Sequence, residues 1–147
     1  MSIKIKLVDR LANFATPEER QAFVEQATRA VNGALLRDNT TAFVFLGGWY
    51  RHADHAMTMD CALVNKYDYP VNGIRMNFNA QLKSSQKTNS HLEVTEPDMG
   101  VLQPDEGVVL RLNVPFSGFD ADEDFQVNPH DITLTINALA VSRADEQ

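Results

Sequence analysis

The chain has 147 residues, of which 44% are hydrophobic and 22% are charged. These proportions predict one globular domain over residues 1–147 and exclude a disordered or fibrous chain. Because 20 acidic residues against 13 basic ones give a net charge of -7, we expect no nucleic acid partner and no attraction to anionic membrane surfaces.

A short strand is predicted first, at residues 3–8, because Ile3, Ile5 and Leu7 alternate with lysines. This alternation lacks the continuous apolar stretch of a signal peptide. No apolar run in the chain reaches the roughly 18 residues that a membrane-spanning helix needs. We therefore expect a cytoplasmic protein without a membrane span.

A helix is predicted at residues 17–32. Thr16 is suited to cap its first turn, Pro17 fits the first helical position, and Glu19 is placed to close a capping box. Asn32 and Gly33 tolerate the left-handed backbone conformation in which many helices end, so we expect that conformation at the C-terminus of the helix.

Strands predominate after the helix, because the hydrophobic period falls from about 3.6 residues to about 2. Residues 43–50 are apolar on both faces except at Gly47 and Gly48, which predicts a strand that is central or covered by the helix, with a bulge or a close backbone approach at the glycines. Trp49 in this strand is predicted to lie in the core. Alternation or short apolar runs predict five more strands. They lie at residues 57–63, 74–82, 92–94, 108–114 and 132–138.

About seven short strands separated by turn residues favour two antiparallel sheets packed face to face. We therefore predict a mainly β fold, an immunoglobulin-like antiparallel β-sandwich with one N-terminal α-helix, with a barrel as the alternative. The helix precedes most of the strands, so we expect it to cap an end of the sandwich or to cover an exposed sheet edge.

His52 and His55 form the best cluster of candidate ligand-binding or acid–base residues, with Asp54 and Asp60 close by in sequence. In a loop between strands the two imidazoles can converge on a metal or another ligand, but no third metal ligand follows at a suitable spacing. A solvated loop is the plainer interpretation. A hydrolase built on His52, Asp54 and His55 is a further hypothesis.

Four aspartates reproduce part of the oxygen spacing of a calcium-binding loop. They are Asp120, Asp122, Asp124 and Asp131. Phe125 stands where such a loop needs glycine, and Asp131 replaces the longer bidentate glutamate. An acidic surface loop is therefore the alternative to a calcium site.

Tyr67 and Tyr69, in a predicted turn, are candidate ligand-binding residues. Aromatic rings offer a sugar or a peptide a broad contact area together with a polar hydroxyl. Trp49 and Tyr50 can join them in an aromatic platform. Trp49 lies in the most apolar strand, so Tyr67 and Tyr69 are the better surface candidates.

Cys61 is the only cysteine, which excludes an internal disulfide and a cysteine-rich zinc cluster. Its place in an alternating strand predicts a core residue that faces away from Asp60. The chain contains no phosphate-binding glycine loop, no nucleophile elbow and no zinc-protease motif, so we expect no cofactor and find no support for an enzyme.

Further motifs lie where strands begin and end. Cys61-Ala62-Leu63-Val64-Asn65 leads into Tyr69-Pro70-Val71, and Leu102-Gln103-Pro104-Asp105-Glu106-Gly107 precedes the next strand. In these segments the chain resembles small immunoglobulin-like accessory modules of bacteria. The segment Pro17-Glu18-Glu19-Arg20, followed by an apolar strand, is similar to the SLAP-type domain of Gram-positive bacteria. Together the resemblances cover most of residues 16–116 and imply a non-catalytic intracellular module linked to accessory secretion, with no site residue carried over.

Two classes of function follow from these patterns. The strand pattern and the lack of a catalytic motif favour a non-catalytic module that acts through a protein partner or through self-association. The alternative is a carbohydrate- or calcium-binding β-sandwich.

Overall fold

A computed structural model describes residues 3–7, 16–34, 36–82, 88–95, 100–115, 123–128 and 131–144. In this part of the chain one α-helix and eight β-strands follow one another. They are β1 (Lys4–Leu7), α1 (Pro17–Asn32), β2 (Thr41–Arg51), β3 (Ala56–Asn65), β4 (Val71–Leu82), β5 (Thr88–Thr95), β6 (Glu106–Pro115), β7 (Phe125–Val127) and β8 (Ile132–Arg143). The prediction of a mainly β chain with one helix near its N-terminus is confirmed.

The strands form two sheets. The larger sheet has the order β1-β6-β3-β2-β7, and the smaller sheet has the order β5-β4-β8. Every neighbouring pair of these strands is antiparallel except β1 and β6, which run parallel. This parallel pair differs from the predicted antiparallel pattern. Parallel strands need a long connection between them, and here α1 and four strands lie between β1 and β6 along the chain.

The main core lies between the two sheets, which confirms the predicted sandwich. Alternate residues of β3, β4 and β6 point into it, as the period of two requires. Its largest fully buried side chains include Tyr50, Met57, Met59, Leu63, Ile74, Met76, Phe78 and Leu110. The rings of Phe43 and Phe78 meet edge to face across the two sheets, with centroids 5.3 Å apart.

Helix α1 has the predicted bounds, and the Oγ1 of Thr16 accepts a hydrogen bond from the Glu19 backbone N–H at 3.2 Å. The predicted left-handed C-terminus is wrong, because Gly33 continues the right-handed turn with a φ of -88°. Its backbone N–H thereby bonds to the Arg29 carbonyl at 3.0 Å. Within the described residues α1 is the only α-helix, and it is too short and too polar to cross a membrane.

Helix α1 packs on the outer face of the larger sheet, where it contacts the edge strand β1 and covers part of β2, one of the positions that the apolar strand at 43–50 predicts. Val31 joins a second apolar cluster there with Ala42 of β2 and Val64 of β3. The Asn32 side chain binds both the N–H and the C=O of Ile3, at 2.9 and 3.3 Å, and so attaches β1 to the helix. The helix covers a face because the outer side of β2 and β3 is itself apolar along this half.

The predicted bulge in β2 is confirmed. Phe45 pairs with Cys61 and Gly47 pairs with Asp60, so Leu46 has no register partner. The prediction that Trp49 lies in the core is wrong, because its side chain is on the outer face and 47% exposed, while Tyr50 is fully buried. Beyond the bulge the odd-numbered positions face outward, so Trp49 stands on the outer face while Tyr50 faces the core.

Candidate functional site

The predicted ligand-binding residues lie at opposite ends of β3. His52 and His55 belong to the turn that precedes the strand, whereas Tyr67 and Tyr69 follow its last residue. The ten residues of β3 hold the two groups about 30 Å apart, at the usual rise of an extended strand. The structure therefore does not combine the histidines and tyrosines in one site.

His52 and Asp124 are brought together by the fold. The Asp124 Oδ1 accepts the His52 backbone N–H at 2.9 Å and lies 2.6 Å from its Nδ1. The backbone hydrogen bond, followed by the contact with the imidazole, lowers the pKa of the Asp124 carboxyl from its ordinary value. His55 is exposed with a positive φ of 50°. The pair fastens the turn before β3 to the segment before β7.

The four aspartates of the predicted calcium loop are only partly described. Asp120 and Asp122 lie outside the described residues. Asp124 binds His52, and the Asp131 Oδ2 accepts the Asn128 backbone N–H at 3.2 Å, which closes a local turn. Within the described residues, no group of three or more His, Cys, Asp or Glu side chains is arranged to hold a metal. Calcium binding stays a prediction.

Tyr67 and Tyr69 stack on each other, with ring centroids 4.9 Å apart, and both are half-buried against the main core. The Arg143 guanidinium lies over the Tyr69 ring at 4.1 Å. Cation–π contact and stacking leave less of these rings for a ligand than the sequence indicates. Their predicted role in ligand binding stays a prediction.

Asn65, at the end of β3, holds this turn in place. Its Nδ2 donates to the Tyr69 and Leu102 carbonyls, both at 2.9 Å, and its Oδ1 accepts the Tyr67 backbone N–H at 2.8 Å. The side chain is only 1% exposed. Because a buried amide must bind its partners to offset its desolvation, Asn65 fixes the path of the chain after β3.

Cys61 is fully buried in the main core, as predicted. Burial, and then the nearby Asp60 charge, raise the pKa of its thiol well above the ordinary value. A buried, protonated thiol is a poor nucleophile, so Cys61 acts as a small core side chain.

A cleft of about 530 Å³ lies on the outer face of the larger sheet, beside α1. We call it the Trp49 cleft. Its lining residues are Gln26, Leu46, Gly47, Gly48, Trp49, Thr58, Asp60, Arg111 and Gln126. The sequence indicated Trp49 as a possible platform residue but not the residues around it, because these come from one helix and four strands that are neighbours only once the strand order is known.

The strand register explains the geometry of the cleft. Thr58, Trp49 and Gln126 are cross-strand partners on β3, β2 and β7, so their side chains stand in one row on the outer face. In the next row Asp60 pairs with Gly47, which has no side chain and leaves a depression beside Trp49. Gly47 has a φ of 147°, a conformation that other residues rarely adopt, so the bulge itself requires glycine at this position.

Asp60 and Arg111 form an ion pair on the floor of the Trp49 cleft. The Arg111 Nε donates to Asp60 Oδ1 at 2.7 Å and its second nitrogen reaches Oδ2 at 3.3 Å. The Asp60 side chain is 22% exposed and the Arg111 side chain is 35% exposed. The guanidinium also lies 5.9 Å from the ring centroid of Phe23 on α1. Both groups are therefore fixed in orientation but accessible to a ligand.

The outer face of the smaller sheet carries a shallower groove, of about 440 Å³, beside His91. The His91 Nδ1 lies 2.8 Å from the Asn77 Oδ1 on the neighbouring strand. This face is polar and open, and within the described residues it carries no exposed Phe, Tyr or Trp side chain.

Comparison of the chain with protein-family models, curated proteins and solved structures found no match. The resemblance to bacterial accessory modules therefore stays a prediction.

The contact between His52 and Asp124 gives a testable pH dependence. In the variant His52→Ala we expect the pKa of Asp124 to rise towards its ordinary value but to stay below it, because the backbone N–H, its largest cause, remains. Carboxyl-carbon NMR titration measures this directly. A complete return to the ordinary value would contradict the backbone contribution.

Since the folded-state pKa of Asp124 is lowered, its contribution to stability is complete above the ordinary carboxyl pKa. That contribution disappears as the pH falls through the lower, folded-state pKa. We therefore expect the stabilities of wild type and Asp124→Asn to converge in strong acid, and a difference that persisted there would contradict this assignment.

Proposed function

We propose that this chain is a non-catalytic intracellular protein-interaction module with an immunoglobulin-like sandwich, and that β8 forms its interface. One observation carries the proposal: within the described residues, the 12-residue strand β8 pairs along one side only, with β4. The net charge of -7 favours a protein partner over nucleic acid. A single, buried free thiol is in keeping with the cytoplasm.

The outer edge of β8 lacks most of the features that usually protect an edge strand. Natural edges are kept short, or carry charges or proline. Between Ile132 and Ser142, β8 has no charged residue, no proline and no glycine. Its protective features are two register shifts against β4, one at Asn137 and one between Ser142 and Arg143, which leave two regular segments, 132–136 and 138–142.

The side chains of β8 also support an interface. The inner row of the strand packs against the main core only in part, and Ile136 remains 37% exposed, whereas its partner Phe78 on β4 is 1% exposed. A further strand beside β8 would remove this apolar surface from water while pairing the backbone edge. The smaller sheet would thereby gain a fourth strand.

The occupant that fits β8 best is a second copy of the same strand. Asp131 stands at one end of β8 and Arg143 at the other, with only uncharged residues between them. Antiparallel pairing about a two-fold axis brings the Asp131 end of one copy to the Arg143 end of the other. This complementarity at both ends offsets some of the repulsion between two acidic chains.

The variant Ile136→Lys tests the interface. We expect the wild type to sediment as a dimer at micromolar concentration, and we expect the dissociation constant of the variant to rise at least about tenfold, because a buried charge would enter the pair. Analytical ultracentrifugation measures both constants. Asn77→Lys is the matched control, since it adds the same charge to the exposed face of the central strand.

Two outcomes would overturn the proposal. One is a wild-type chain that stays monomeric up to millimolar concentration. The other is a dimer that Ile136→Lys and Asn77→Lys weaken equally.

A further inference from the structure

The Trp49 cleft has features that an interface at β8 does not use. It lies on the larger sheet, whereas β8 belongs to the smaller one. Its volume of about 530 Å³ falls within the range of small-molecule sites, roughly 300–1,000 Å³. Trp49 lies at the centre of the cleft and is 47% exposed, although burying its large ring would stabilise the fold more than burying any other side chain.

Most of the side chains that line the cleft are polar, and they project from a helix and four strands. Gln26 comes from α1, and Gln126 comes from β7, where it is the cross-strand partner of Trp49. Thr58 lies beside Trp49 in register. Asp60 and Arg111 offer acceptors and donors next to each other, in an orientation set by their mutual hydrogen bonds of 2.7 and 3.3 Å.

The charges and the backbone limit which ligand suits this cleft. An anion is disfavoured because Asp60 balances Arg111 and the whole chain carries a net charge of -7. An extended peptide would gain no backbone ladder, because Gly48–Tyr50 of β2 is already paired with β3 and β7. The ligand that remains is neutral, has an apolar face for the indole, and carries closely spaced hydroxyls.

A sugar ring has these properties. Its C–H groups form an apolar face, and neighbouring hydroxyls present a donor and an acceptor at the spacing of a carboxylate–guanidinium pair. We propose that the Trp49 cleft binds a neutral saccharide, with a ring stacked on Trp49 and hydroxyls bound by Asp60, Arg111 and the two glutamines. This inference is independent of the proposed function, because it concerns the other sheet.

The chain contains a natural probe for this site, since Trp49 is its only tryptophan. The experiment is a fluorescence titration of the full chain with five neutral hexasaccharides: maltohexaose, cellohexaose, xylohexaose, laminarihexaose and the chitin hexasaccharide. We expect at least one to give a saturable shift of the Trp49 emission to shorter wavelength, because stacking removes water from the indole.

Two glutamines of α1 provide matched variants. Gln26 lines the cleft, whereas Gln21 is exposed and its side-chain amide donates to Glu25 Oε1 at 3.3 Å. We expect Gln26→Ala to weaken saccharide binding about tenfold, the usual effect of one lost hydrogen bond to a ligand, and Gln21→Ala to leave it unchanged. Calorimetry with Trp49→Ala should show no binding, while circular dichroism verifies that each variant is folded.

Three results would overturn the saccharide site. The first is an emission spectrum that none of the five hexasaccharides changes at millimolar concentration. The second is binding that Gln26→Ala and Gln21→Ala affect equally. The third is an emission shift with a pool of tryptophan-free peptides but with no oligosaccharide, which would assign the cleft to a peptide instead.

Discussion

Replacing Asn65 with leucine is expected to lower the free energy of unfolding by about 3 kcal/mol. The substitution keeps the size of the side chain but removes three hydrogen bonds, to the Tyr69 and Leu102 carbonyls and from the Tyr67 N–H. These backbone groups lie in or beside the core, where water replaces the lost partner poorly. Urea unfolding, followed by circular dichroism, measures the loss.

The control for this prediction is Asn89→Leu, the same change at an exposed position of β5. We expect it to alter stability by no more than about 0.5 kcal/mol. Asn65→Asp should cost at least as much as Asn65→Leu, because it keeps the acceptor for Tyr67 but places a buried carboxylate oxygen against the Tyr69 and Leu102 carbonyls. An Asn65→Leu variant with wild-type stability would show that Asn65 does not hold the turn after β3.

The second large effect is expected from Phe78→Ala, which should cost about 3–5 kcal/mol of unfolding free energy. Phe78 is 1% exposed and its ring contacts that of Phe43 on the opposite sheet. Removing it leaves a cavity between the sheets and also breaks the edge-to-face pair. Chemical denaturation measures the change under conditions where the chain is monomeric.

Ile136→Ala is the matched comparison, because Ile136 is the register partner of Phe78 on β8. Its side chain is 37% exposed, so we expect a loss of no more than about 1 kcal/mol in the monomer. Equal losses in the two variants would mean that β8 is covered as completely as β4, and the interface proposed at β8 would then have no exposed apolar surface to bury.

The sequence predicts the regular elements well where local physics determines them. Thr16 and Pro17 define the start of α1, and the period of two in β3, β4 and β6 identifies the residues that face the core. The glycines of β2 correctly indicate a bulge. Its consequence for Trp49 was not predictable, because the side on which a residue lies beyond a bulge depends on which residue loses its partner.

The contacts that form the candidate sites could not be predicted from the sequence. Asp60 and Arg111 are 51 residues apart and meet only because β3 and β6 are neighbours in register. The contact between His52 and Asp124 likewise depends on β7, a strand of three residues that is too short for a hydrophobic period. Local patterns identify which residues carry useful chemistry, whereas strand order decides which of them meet.

The parallel pairing of β1 with β6 also has a consequence for how the chain is made. Lys4 aligns with Glu106, so β1 can pair with β6 only after about 100 further residues have been translated. Until Pro115 has left the ribosome, β1 lacks this strand partner, and the segment has the Asn32 hydrogen bonds to Ile3 and the apolar cluster with Val31 and Ala42 to hold it. Completion of the larger sheet is therefore a late event, and a nascent chain arrested before β6 would expose the outer edge of β3.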